Sequence, residues 1–66
     1  MDFRVEILRS VENRPPLVVA TIEWKYRTLE EAKAAGQREV EVTAESNSAT
    51  GFRVLDEAGN QIFLSP

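Results

Sequence analysis

Thr28-Leu29-Glu30-Glu31-Ala32-Lys33-Ala34-Ala35-Gly36-Gln37-Arg38-Glu39-Val40-Glu41-Val42-Thr43-Ala44-Glu45 decides the fold, because it admits two readings. As a strand, Glu39 to Ala44 alternates and is β-branched, and Gly36 would close a short preceding helix. As a helix, Leu29, Ala32, Gly36, Val40 and Thr43 share one stripe. Glu30, Lys33, Gln37, Arg38, Glu41 and Glu45 share the opposite side, and only Glu39 lies near the apolar edge. The helical segregation spans the longer window and predicts one helix from Leu29 to about Glu45. Thr28 supplies an N-cap and Glu31 completes a capping box. Glu30 and Glu31 also suit the positive end of the helix dipole. Gly36 then has a packing role: lacking Cβ, it lets the helix lie close to a neighbouring sheet, at about 1 kcal/mol of helix propensity.

Hairpins flank this helix. On the C-terminal side, Gly51 to Leu64 reads as a β-hairpin in which two short apolar runs flank Asp56-Glu57-Ala58-Gly59, and Gly59 can take the positive φ that a type I turn with a bulge requires. On the N-terminal side, Phe3, Val5 and Ile7 alternate with Arg4, Glu6 and Leu8. Val11 to Pro16 reads as a loop, because Pro15 and Pro16 cannot donate to a ladder. Leu17 to Tyr26 is the second strand. Val18, Ala20, Ile22, Trp24 and Tyr26 form its larger apolar face and are assigned to the core; Leu17, Val19, Thr21, Glu23 and Lys25 form the other.

The order strand, strand, helix, strand, strand predicts an α+β fold: a four-stranded antiparallel sheet (β-β-α-β-β) with one long helix packed on one face. The expected core is Phe3, Val5, Ile7, Ile22, Trp24, Leu29, Ala32, Val40, Val54 and Ile62. Residues 1–66 are expected to form a single small α+β domain.

A domain of this size is marginally stable alone, and small scaffolds add disulfides, a metal or a partner chain. The chain contains neither cysteine nor histidine. That removes disulfides, zinc fingers and most transition-metal sites, and leaves dimerisation as the stabiliser. The net charge of -3 disfavours non-specific binding to nucleic acid or an anionic membrane. No stretch reaches the length of a membrane span. Met1-Asp2-Phe3-Arg4 lacks the apolar region of a signal peptide, so a cytoplasmic protein of bacterial type is expected.

Catalysis is not expected. The residue types that supply a nucleophile with its base are missing, and the acidic residues read as solvated surface. Neither phosphate-binding glycine motif is present, and Glu30 and Glu31 would repel an anion at the helix start. Asp56 and Glu57 read as turn residues rather than a cation site, which needs several oxygens from a formed loop. No cofactor, metal or small-molecule ligand is inferred.

Self-association has the best physical case, because one helix covers one face of a four-stranded sheet. The other face would show Leu8, Leu17, Val19 and Leu55, with Phe63 if Ile62 and Leu64 point inward. Arg4 and Arg53, with Glu6, Thr21, Glu23 and Lys25, would ring them. An apolar centre inside a charged rim is the composition of a protein interface. The expected function is a non-catalytic interaction module, a homodimer or a partner of another protein, acting through this face. The alternative is a nucleic-acid-binding module using the strand arginines Arg4 and Arg53 with nearby aromatics. Against it, Glu6, Glu23 and Asp56 are placed to form cross-strand ion pairs with those arginines.

The succession of hairpin, T-x-x-E-A helix (Thr28, Glu31, Ala32) and D-x-x-G hairpin (Asp56, Gly59) resembles small bacterial domains of uncharacterised function. The resemblance covers element order over nearly the whole chain and implies a domain with no assigned active site. It transfers no functional residue, because its motifs are capping and turn chemistry.

Overall fold

The computed structural model describes residues 2–65, so Met1 of the tetrapeptide read for a leader lies outside the described residues. The elements are β1 (Phe3–Val11), β2 (Arg14–Tyr26), α1 (Leu29–Asn47), β3 (Gly51–Leu55) and β4 (Gln61–Leu64). The four strands form one antiparallel sheet in the order β2-β1-β3-β4, and α1 packs chiefly over the two central strands. The fold is α+β.

The helical reading of the deciding stretch holds over its full length. Thr28 is the N-cap, in extended conformation, and its Oγ1 accepts from the Glu31 N–H at 3.1 Å. Ser48 ends the helix in the left-handed region at φ 56°. The expected stripe is the buried one: Ala32, Gly36 and Thr43 are buried, while Leu29 and Val40 are half-buried against the core. Tertiary packing overrides the strand propensity of Val40-Glu41-Val42-Thr43, because the sheet beneath α1 offers one apolar surface and only a helix presents Ala32, Gly36, Val40 and Thr43 to it together.

The core beneath α1 contains Val5, Ile7, Ala32, Ala49, Phe52 and Val54, with Phe3, Ala20, Ile22, Tyr26 and Phe63 packed around it. Phe52 and Ala49 were not among the expected core residues, and two expected members are outside it. Trp24 is 66% exposed and Ile62 is 41% exposed. For Trp24 the reason is position: β2 is an edge strand, and α1 lies mainly over β1 and β3. For Ile62 the reason is register. Val54 faces Phe63 and Leu55 faces Gln61, so Ile62 is the extra residue of a bulge. A one-residue shift exchanges the faces of a strand. Phe63 therefore turns inward and Leu64 outward.

A second register shift, between Ile7/Ala20 and Leu8/Val18, does the same in β2. It directs Val19 to the core and pairs Val18 with Leu8 on the open side, which reverses the assignment made from simple alternation. Pro15 and Pro16 lie inside β2 rather than in a loop. They occupy the irregularity between the Arg9/Leu17 and Val11/Arg14 pairs, on an edge strand. An edge at a bulge is where a sheet tolerates a residue with no N–H. Asn13, at φ 60°, turns the chain between β1 and β2.

The C-terminal turn is held by one side chain. Asp56 Oδ1 accepts from the N–H groups of Ala58 (2.9 Å) and Asn60 (2.8 Å). The Gly59 N–H donates to the Asp56 carbonyl at 3.0 Å, and Gly59 takes φ +88°. These hydrogen bonds to its ionised form, led by that from the Asn60 N–H, hold the Asp56 carboxyl below its ordinary value of 3.8.

Candidate functional site

The face of the sheet away from α1 carries Arg4, Glu6 and Leu8 from β1 and Gly51, Arg53 and Leu55 from β3, with Glu6 opposite Arg53 at its centre. Arg53 Nε donates to Glu6 Oε1 at 2.6 Å and the same guanidinium approaches that oxygen through a second nitrogen at 2.5 Å. The cross-strand ion pair expected from the sequence is thus formed, and it occupies the place where an apolar centre was expected. Leu8 and Leu55 are on this face, outside the helix-side cluster, but they are only 4% and 7% exposed. They are not offered to a partner.

The remaining expected contact residues separate. Val19 and Phe63 pack on the helix side. The Phe63 ring lies 5.7 Å from that of Phe52, and Lys33 Nζ lies 4.4 Å over it. Leu17 alone among the five aliphatic and aromatic candidates is exposed, on β2 opposite Arg9. Arg4 is exposed and borders two open clefts. One is lined by Asp2, Arg4, Lys25 and Glu57; the other by Arg4, Thr21, Ile22, Glu23, Trp24 and Lys25. Each cleft mixes both charges, and the Asp2 N–H donates to Glu57 Oε1 at 2.6 Å at the mouth of the first. The structure therefore does not join Arg4 and Arg53 into a basic surface.

Exposed apolar surface lies instead at the rim. Among the described residues, the exposed large apolar side chains are Leu17, Val18, Trp24, Val42, Ile62 and Leu64. All but Val42 are on β2 or β4, the two edge strands. Each edge leaves a row of backbone N–H and C=O groups without a ladder partner on its outer side, which is a template for another strand. One signal for this rim was in the sequence: Trp24 between Glu23 and Lys25 is a large apolar residue in a locally charged strand, whereas the bulges that turn Val18 and Leu64 outward are invisible to alternation.

Among the described residues, no group of three or more carboxylates is placed to hold a metal ion. Among the described residues, too, no helix is long and apolar enough to cross a membrane. Comparison with known proteins gives no match: no family model fits the chain, and no curated protein or solved structure is similar to it.

Proposed function

We propose that this chain is a non-catalytic protein-interaction module that associates with itself through the rim of its sheet. The observation that supports the reading is the concentration of exposed apolar side chains on β2 and β4, with Trp24 the most exposed of them. A small domain with no disulfide gains most from burying such a rim against another chain. The open face plays a supporting part, since its ion pair and buried leucines close it. Pairing of single edge strands would bury less than a standard interface of roughly 1,600 Å², which places it with small, transient contacts.

Sedimentation equilibrium from micromolar to millimolar concentration tests this. The mass should rise from monomer towards dimer. A monomer mass across the whole range overturns the proposal. Nucleic-acid binding through the strand arginines has less support, because Glu6 neutralises Arg53 and the clefts beside Arg4 also hold Asp2, Glu23 and Glu57.

A further inference from the structure

We propose that β4 is a detachable strap: it leaves β3 as a unit while β1, β2, β3 and α1 stay folded, and in leaving it uncovers the outer edge of β3 and one flank of Phe52. This concerns the single chain and stands apart from the self-association reading. β4 has one strand neighbour, β3. It pairs there at Arg53/Leu64, Val54/Phe63 and Leu55/Gln61, and the bulge at Ile62 interrupts the run. The Ser65 N–H adds one bond, to the Phe52 carbonyl at 2.8 Å. Among the described residues, the α1 backbone comes close to β1, β2 and β3 but not to β4.

Side chains fasten β4 at one point. Gln61, Ile62 and Leu64 are exposed, and of the four residues Phe63 alone is half-buried. Its ring lies beside that of Phe52, 5.7 Å between centroids, and under Lys33 Nζ at 4.4 Å. β4 carries no charged residue, so no ion pair of its own reinforces the hold. The other edge strand is fastened differently. β2 pairs with β1 along most of its length and sets Val19, Ala20, Ile22 and Tyr26 against the core. Segments with few buried apolar contacts are the ones that open ahead of the whole fold.

The chain has a place to pivot. Between Asp56 and Asn60 the turn closes on itself: the Asp56 N–H donates to the Asn60 carbonyl at 2.9 Å, and Asp56 Oδ1 accepts from the Ala58 and Asn60 N–H groups. None of these bonds involves β4, so they survive when Gln61 to Leu64 lift. What is uncovered is the flank of a deeply buried strand, in which Gly51, Phe52, Val54 and Leu55 are all buried while β4 is seated. An unpaired β3 edge is a row of N–H and C=O groups beside an aromatic ring, the template that β4 itself occupies.

Native-state hydrogen exchange, followed by NMR in urea below the unfolding transition, tests this at protein concentrations where the rates do not change on dilution. The Ser65 amide reports β4, and the slowest amides shared by β1 and β3 report the whole fold. Ser65 should exchange at least about tenfold faster than those amides and depend less on urea, since opening β4 exposes little surface. Ala34→Gly supplies the decisive comparison. Ala34 is exposed on α1, so glycine there weakens the helix without touching β4. It should speed the β1–β3 amides about fivefold and leave Ser65 unchanged, because α1 is folded both before and after β4 opens. Phe63→Leu should speed both sets by one common factor, because Phe63 leaves its site in either kind of opening. A Ser65 amide that follows the β1–β3 amides in Ala34→Gly, or shares their urea dependence, overturns the proposal. So does a Ser65 amide that exchanges as fast as in an unstructured chain, since β4 would then not be seated on β3.

Discussion

Gly36 of α1 lies against the ring of Phe52 of β3 so closely that a Cβ at Gly36 would overlap three of the ring carbons. Phe52 is among the largest fully buried side chains. The contact sets the height of the helix above the sheet, and thereby which strands it covers. α1 rests here chiefly on β1 and β3, so β2, already at the edge of the sheet, has little of its face covered.

Gly36→Ala should therefore destabilise the protein, although helix propensity alone predicts a gain of about 1 kcal/mol. Overpacking a filled core costs typically about 1–3 kcal/mol, and the Phe52 ring cannot yield easily because the tilted Phe63 ring lies beside it, 5.7 Å between centroids. A urea melt should show a lower midpoint with the slope unchanged. A higher midpoint would mean that α1 stands further from the sheet.

Gly59 makes a contrasting case. Nothing lies within 4 Å of a Cβ built there, but φ is +88°. Gly59→Ala should cost about 1–2 kcal/mol through the backbone alone, and Gly59→Asn should cost less, since asparagine tolerates left-handed φ. Equal losses in the two variants would point to a steric cause. Chemical denaturation of both distinguishes the outcomes.

The Asp56 carboxyl titrates below its ordinary value of 3.8 in the folded chain, because the Asn60 and Ala58 N–H groups bind its charged form. A depressed folded pKa contributes stability that is fully present above the unfolded value and lost as pH falls through the folded one. The stability difference between wild type and Asp56→Ala should thus be constant from neutral pH to just above the ordinary carboxylate range, then narrow on further acidification. Carboxyl carbon NMR should place the Asp56 midpoint below 3.8. A midpoint at or above that value contradicts the turn geometry.

The Glu6–Arg53 pair is partly exposed, with side chains 21% and 34% accessible. A double-mutant cycle with Glu6→Gln and Arg53→Met should give a coupling of about 0.5–1 kcal/mol, decreasing with added salt. A coupling indistinguishable from zero would show that the pair does not organise the open face.

The parts of the fold carried by long periodic signals were legible in the sequence. The stripe Leu29, Ala32, Gly36, Val40, Thr43 and the cap Thr28 located the helix, and the Asp56–Gly59 turn located the last hairpin. What alternation could not reveal were the bulges. A shift near Leu8 exchanged Val18 and Val19, and another exchanged Ile62 and Phe63. Both depend on pairing between strands, which a single strand's pattern does not encode. Trp24 was misplaced for a related reason: a large apolar residue signals burial only where something covers it, and the strand order left β2 at the edge. The expected contact surface moved from face to rim with these corrections.

The most direct measurement is amide hydrogen exchange along the two edge strands, β2 and β4, followed at low and high protein concentration. If the rim meets another copy, amides of an edge strand should become protected as concentration rises and lose that protection on dilution, while those of the central strands β1 and β3 stay unchanged. Exchange along both edge strands that is independent of concentration would contradict self-association through the rim.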